Sequence, residues 1–240
     1  MDGIKKLNPE EHAAVAQVRE QIIERLRNTP ETGQEVDYLD KKFFVKRGVF
    51  WPRPDSVPLV TNYTINPGEV VLDVCTGSGV IAVFSALKEA GKVVALDINP
   101  DAIECVDVNA KRYGVDEKID ARVSDVLSAL RPDEMFDVVT CNPPFTDEPS
   151  EGDMASRTLR DPGLIVAKSF FANIGKHLKK DGRIYVSQAS SGNVEDMLKL
   201  ADEAGFESKM IGKKDMGENS LEFYAFELKR KSLSKIILEL

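Results

Sequence analysis

Apolar positions near the start of the chain recur at helical steps. Val15, Val18, Ile22 and Leu26 are separated by polar and charged residues, which predicts one amphipathic helix over residues 9–28. Asn8-Pro9-Glu10-Glu11 supplies its start: a capping side chain, a proline whose missing N–H costs nothing in the first turn, and acids beside the positive end of the helix dipole. Thr29-Pro30 ends it. Residues 35–39 and 43–50 read as two strands of a hairpin turning at Asp40-Lys41-Lys42. Trp51-Pro52-Arg53-Pro54 then reads as a rigid extended connector, because each proline fixes its own φ and restrains its predecessor.

From Glu69 onward the period changes. Short apolar runs predict buried parallel strands over 70–74, 92–97, 119–124, 136–141 and 183–188. Helices are predicted between them over 80–90, 100–113, 164–178 and 194–204, and two closing strands, 206–211 and 221–228, read as an antiparallel hairpin. Strand–helix alternation predicts an α/β fold, a three-layer, doubly wound, Rossmann-like sheet whose ligand lies beyond the C-terminal strand ends. The predicted division is a helix and β-hairpin extension over 1–54 and a catalytic domain over 55–240. Leu233, Ile236, Ile237 and Leu240 recur at helical spacing and predict a tail packed on its own domain.

Composition narrows the partners. The chain of 240 residues is 42% apolar and 30% charged, enough for one sizeable core. No apolar run approaches the roughly 18 residues of a membrane span, and the N-terminus lacks the apolar stretch of a signal peptide. Cys75, Cys105 and Cys141 show no paired spacing and sit in apolar contexts, so the reading is small fillers in a reducing cytoplasm. With two histidines, His12 and His177, on helices away from the motifs, no metal site is expected. A net charge of −8 and a pI near 5.0 argue against a broad nucleic-acid footprint. The densest basic run, Lys229-Arg230-Lys231, reads as a solvated end.

The first predicted strand runs into Asp73-Val74-Cys75-Thr76-Gly77-Ser78-Gly79 and then a helix. Gly77-x-Gly79-x-x-Ala82, with Asp97 downstream, also fits the dinucleotide fingerprint, so a nicotinamide-dependent oxidoreductase is a rival reading here. Asp73 tips the balance. A carboxylate before the glycines repels a pyrophosphate but suits the cationic ammonium and sulfonium groups of S-adenosylmethionine (SAM). The candidate cofactor set is therefore Asp73, Thr76, Gly77, Gly79, Asp97, Ile98 and Asp125, with Asn142 bordering it. Asp97 is placed to accept the ribose hydroxyls and Asp125 an adenine amino group, though Ser124-Asp125 also fits a plain turn cap.

The fourth predicted strand of the sheet ends in Asn142-Pro143-Pro144-Phe145. A planar NH2 acceptor needs no prior deprotonation; it needs to be held. The Asn142 side-chain oxygen and the Pro143 carbonyl can accept its two N–H groups, the prolines pre-aim that carbonyl, and Phe145 can stack on the flat group. The catalytic candidates are Asn142, Pro143 and Phe145; the substrate-binding candidates are Pro144, Phe145 and Arg53, the last matching a salt bridge equally well. Residues 146–157 read as a mobile lid or substrate-binding loop, and Phe50 and Trp51 as core.

Taken together, Asp73 to Gly79, Asp97, Asp125 and Asn142-Pro143-Pro144-Phe145 resemble class I SAM-dependent N-methyltransferases with an Asn-Pro-Pro-aromatic motif. The resemblance spans residues 33–228 and is strongest to the HemK-type protein glutamine methyltransferases, in which a Pro-Arg-Pro-acid-hydroxyl segment, here Pro52 to Ser56, precedes the catalytic domain. It implies SAM as cofactor and a glutamine side-chain amide as acceptor, in a release factor or a ribosomal protein. Phe145 stands where those enzymes usually carry Tyr, and relatives that methylate RNA bases also carry Phe, so an RNA base is the alternative acceptor. HemK-type enzymes also carry a longer N-terminal helical domain than residues 1–54 provide.

Overall fold

A computed structural model describes residues 3–217 and 221–232; the predicted C-terminal tail helix lies outside them. Helix α1, Pro9–Arg27, opens on a reciprocal cap: the Asn8 side chain accepts from the Glu11 N–H at 3.0 Å, and the Glu11 carboxylate accepts from the Asn8 N–H at 2.8 Å. Strands β1, Gln34–Tyr38, and β2, Lys41–Val45, pair antiparallel around Leu39-Asp40. The second strand is shorter than its apolar run suggests. Gly48 turns the chain at φ +70, and its N–H donates to the Leu26 carbonyl at 3.1 Å, which ties the turn to α1. A 3₁₀ turn over Pro54–Ser56 and a short helix α2, Val57–Asn62, follow. Neither was expected, because so few residues cannot display a helical period.

The body then alternates: β3 (Val70–Val74), α3 (Val80–Leu87), β4 (Lys92–Asp97), α4 (Pro100–Arg112), β5 (Ile119–Val123), β6 (Phe136–Cys141), α5 (Met154–Arg157), α6 (Ile165–Ile174), β7 (Leu178–Ala189), α7 (Val194–Glu203), β8 (Phe206–Asp215) and β9 (Glu222–Arg230). The helix expected over 164–178 ends at Ile174. Leu178 already belongs to β7, opposite Phe136, and the polar run Lys179-Lys180-Asp181-Gly182 had masked that strand.

Seven strands form one sheet in the order β5-β4-β3-β6-β7-β9-β8, parallel from β3 to β7, with β9 and β8 antiparallel. The chain runs outward from β3 through β4 to β5, then returns to β6 on the other side of β3. That reversal opens a crevice at the C-terminal ends of β3 and β6. Period-two alternation divides the core. Leu72, Val74, Val94, Leu96, Val139 and Val186 face α6 and α7, while Val71, Val93, Ala95, Val138 and Tyr185 face α2, α3 and α4. The N-terminal extension is integral to this packing: Tyr38 and Phe43 of the hairpin join the second layer, and Ile23 and Leu26 of α1 pack with Trp51, Ala155 and Leu159. Among the described residues, no helix is long and apolar enough to cross a membrane.

The opposite end of the sheet is built for stability. Arg183 donates to both oxygens of Glu69 at 2.9 and 2.8 Å and to the Thr64 carbonyl at 2.7 Å. This guanidinium holds the Glu69 carboxyl down at about 2. A depressed carboxyl contributes stability above its ordinary value of 4.5 and loses it as pH falls toward 2. Glu69→Gln is therefore expected to cost about 2 kcal/mol at pH 7. In urea unfolding, the gap between wild type and variant should close as pH falls from 4.5 toward 2.

Candidate active site

The glycine loop is set by backbone strain and close approach. Cys75, Gly77 and Gly79 adopt φ of +58, +55 and +82. At Gly79 a Cβ would lie 3.0 Å from Val106 Cγ2 and 3.2 Å from its Cα, so a glycine is what lets α3 start against α4. Asp73, fully buried, holds the loop from below. Its oxygens accept from the Thr76 hydroxyl at 2.6 Å and the Thr140 hydroxyl at 2.7 Å, linking the loop to β6. Burial pushes this carboxyl up to about 6, against the pull of those two hydroxyls. Asp97 fixes the loop from the side: it accepts from the Gly77 N–H at 2.8 Å and the Asn99 N–H at 2.9 Å. Burial raises its pKa too, with the backbone donors of Asn99, Gly77 and Ile98 opposing.

Above these strand ends lies a cavity of about 440 Å³. Gly77, Asp97, Ile98, Asp125, Asn142, Pro143, Pro144 and Phe145 all line it. Asp73 and Gly79 are not on this wall: they sit behind it, where they shape the loop. Thr76, turned toward Asp73, is buried there as well. Arg53 lies on a second, smaller cavity with Asp55, Phe50 and Phe145, between α1 and the start of β9. Phe145 thus stands between the two spaces. Phe50 lines both, while Trp51 is buried beneath the Arg25 guanidinium, 3.9 Å from its ring centroid. Cys75 packs against the face that contains buried Cys141, and its thiol is pushed up by that neighbour and by burial.

The motif at the end of β6 is braced from two sides. The Phe145 carbonyl accepts from the Asn193 N–H at 3.0 Å, which anchors the turn to the start of α7. The Asn142 Nδ2 donates to Asp55 at 2.8 Å, while the Asn142 Oδ1 is buried without a partner. In the sequence Asp55 is one residue of the Pro52 to Ser56 segment, and no local pattern signals that it reaches a residue 87 positions away.

The segment after the motif roofs the main cavity through Ser150, Gly152, Met154 and Arg157. It is strapped to α1 by charge. Arg19 pairs with Glu148 at 2.9 Å, and Arg27 with Glu151 at 2.5 Å and Asp153 at 2.7 Å. Arg160 pairs with Glu20, Glu148 and Glu151. The cations on the cavity lining are Arg157 and Arg160, the latter already engaged by these acids. Two carboxylates, Asp97 and Asp125, stand on the opposite wall. These carboxylate acceptors fit a ligand with hydroxyl, amino and cationic groups better than one with a pyrophosphate.

A family model described as the methyltransferase small domain matches residues 43–205. The chain belongs to this family. It is 34% identical over 167 residues to a release factor glutamine methyltransferase of Koribacter versatilis, covering 63% of this chain and 58% of that protein. It is 32% identical over 133 residues to a ribosomal protein uL3 glutamine methyltransferase of Bordetella pertussis, covering 52% and 44%. The chain thus spans about half the length of these curated relatives. In fold it resembles a ribosomal protein L11 methylase from Lactobacillus delbrueckii, with a TM-score of 0.54 at 19% identity over 72% of this chain and 75% of that one. It also resembles a tRNA m1G37 methyltransferase of M. jannaschii, with a TM-score of 0.58 at 19% identity over 85% and 58%. The match begins within the hairpin's second strand and runs through α7.

Adding a methyl group at Gly79 tests the loop's geometry. Gly79→Ala forces an L side chain into positive φ and into the α4 backbone, at an expected cost of about 2 kcal/mol. Thermal unfolding should show a fall in Tm of roughly 5 °C.

Proposed function

We propose that this chain transfers the methyl group of SAM to the side-chain amide nitrogen of a glutamine in a protein of the translation apparatus, a release factor or a ribosomal protein. The observation that carries the reading is the Asn142 side chain: its amide oxygen is buried and unpartnered at the end of β6, beside a cavity at the sheet's reversal point. An unpaired buried acceptor is costly, and an incoming N–H removes that cost. The names of the curated relatives support the choice of acceptor.

In this reading Asp97 accepts the ribose hydroxyls, Asp125 the adenine amino group, and the Gly77 and Ile98 backbone edges the cofactor from either side. When bound, SAM supplies an electrophilic methyl on a sulfonium. The residues of the chain do the positioning. Asn142 Oδ1 accepts one N–H of the acceptor amide and the Pro143 carbonyl accepts the other, which turns the nitrogen lone pair toward the cofactor side; as the new N–C bond replaces the S–CH3 bond, one of the two held protons is lost from the nitrogen to solvent. Pro144 stiffens the turn. Phe145 covers the flat amide and, from its place between the two cavities, excludes water. Arg53, half-buried on the acceptor side, is available to a backbone carbonyl of the substrate.

An RNA base is the competing acceptor, and the charge distribution disfavours it. Arg19, Arg27 and Arg160, beside the roof of the cavity, are paired with Glu20, Glu148, Glu151 and Asp153, and Arg157 is the one further cation on the cavity lining among the described residues. A polyanion would have to displace those acids before meeting the three paired arginines.

Radiolabelled SAM with a cell extract divided into protein and RNA fractions tests the reading. Label is expected in protein, on glutamine, and label in RNA alone would overturn it. Asn142→Ala is expected to lower turnover at least tenfold while leaving SAM affinity largely intact by calorimetry. Asp97→Ala is expected to do the reverse, weakening SAM binding at least tenfold; unchanged affinity would remove Asp97 from the ribose role.

A further inference from the structure

The connector ahead of α2 brings a carboxylate into contact with the chemical motif. Asp55 is 2% exposed, and one of its oxygens accepts from Asn142 Nδ2 at 2.8 Å. Its other oxygen, Oδ1, is buried without a partner, as is Asn142 Oδ1. The Asp55 and Ser56 N–H groups help to stabilise the Asp55 charge, yet an orphaned acceptor on each of two side chains in contact is an expensive arrangement for a structural contact. A structural role would be met more cheaply by a neutral residue.

Carboxamides are nearly symmetric in shape, so nothing in the outline of the Asn142 side chain decides which end faces the acceptor. The chemistry of Asp55 does. An ionised carboxylate only accepts hydrogen bonds, so the atom of Asn142 that faces it must be the NH2. The oxygen is thereby left pointing the other way. If the amide rotated, its NH2 would confront the N–H groups of the acceptor, and its oxygen would confront a negative charge.

We infer that Asp55 is a positioning residue for methyl transfer: its carboxylate locks the Asn142 amide in the one orientation that presents Oδ1 to the acceptor nitrogen. The inference rests on the proposed role of Asn142. It assigns the Pro52–Asp55 connector a part in turnover in addition to joining the hairpin to the sheet. No proton or bond is exchanged with Asp55; it acts through Asn142 alone.

The ionisation state of Asp55 then matters. Burial pushes its carboxyl up to about 6, opposed by the Asn142 hydrogen bond and by Arg53. The charged and titratable groups around it are Arg53 on its own turn and Tyr38 of β1, whose hydroxyl meets Ser56 at 2.8 Å. Arg19 of α1 lines the same cavity, and Arg25 of α1 lies beyond Arg53. Once protonated, Asp55 can donate to the oxygen of a rotated Asn142, and the lock is released. Orientation is therefore enforced above about pH 6 and lost below it.

The test is Asp55→Asn in the full chain, with kcat, KM and SAM affinity followed from pH 5 to pH 8. The expected result is a loss in kcat of at least tenfold at pH 8, with SAM affinity within about threefold of wild type. Wild-type kcat is expected to show an acidic limb near pH 6, and that limb should be absent from the variant; a wild type with no such limb would overturn the inference. Asp73, pushed to about the same value, remains in the variant, so a limb that it caused would persist and would overturn the inference. Full activity of Asp55→Asn would also overturn it. Folding provides an independent readout. Removing a carboxylate whose pKa is raised should raise Tm relative to wild type as pH climbs from 5 to 8, so the variant should be slow and stable. A slow variant with a lowered Tm at pH 8 would mark a structural role and refute the positioning role. Asn142→Ala separates the two readings. If it is inactive while Asp55→Asn is fully active, this inference alone fails; if Asn142→Ala is active, the proposed function fails with it.

Discussion

A single buried carboxylate at the middle of the sheet organises everything above it. Asp73 sits on β3, the strand from which the chain departs in both directions, and its two oxygens are divided between Thr76 of the glycine loop and Thr140 of β6. It therefore clamps together the two strand ends between which the crevice opens. Burying a charge at this point is unfavourable, and two hydroxyl donors only partly offset it, which is why its pKa is raised. The compensation is geometric. With Thr76 fixed from below and Gly77 fixed to Asp97 from the side, the loop backbone has little freedom left, and the cavity wall is formed before any ligand arrives.

The same logic recurs one strand over. Asn142 follows β6 directly after Cys141, whose Cα is the register partner of Val74 on β3, so its backbone position is inherited from the clamp. Its side chain is then oriented by Asp55, from a segment outside the alternating body, and the turn that follows it is anchored by Asn193. Three regions distant in sequence thus converge on four residues. Catalytic geometry built on strand ends is more exact than geometry built on loops alone, because the strand register fixes it to a fraction of an ångström.

How far the sequence discloses this architecture depends on the range of the interactions involved. The sheet, its alternation and the order of its motifs are legible because strand and helix periods are local, and Asp97, Asn142 and Phe145 are legible because they fall at predictable strand ends. Asp73 is legible as an acid near the glycines, but its direction is not. Position 73 lies one residue before Val74, whose side chain faces α6 and α7, so period-two alternation turns Asp73 toward the opposite layer and away from the cavity. Asp55 is harder still, since its meaning depends on a partner across the fold. The shortened helix before β7 and the missed α2 have the opposite cause: short elements whose register is set by neighbours and hardly by their own composition.

The N-terminal extension ties these observations together. Its helix supplies arginines to an acidic roof loop, its hairpin lends Tyr38 and Phe43 to the core beside α3, and its connector delivers Asp55 to Asn142. Each contact alone is modest; a largely exposed ion pair such as Arg27 with Asp153 contributes at most about 1 kcal/mol. The α1 and connector contacts bear on the roof or chemical edge of the two cavities that meet at Phe145, while Tyr38 and Phe43 pack in the core beside α3. A segment that only capped the fold would distribute its contacts without regard to that point. The extension therefore contributes to the candidate site as well as to the scaffold.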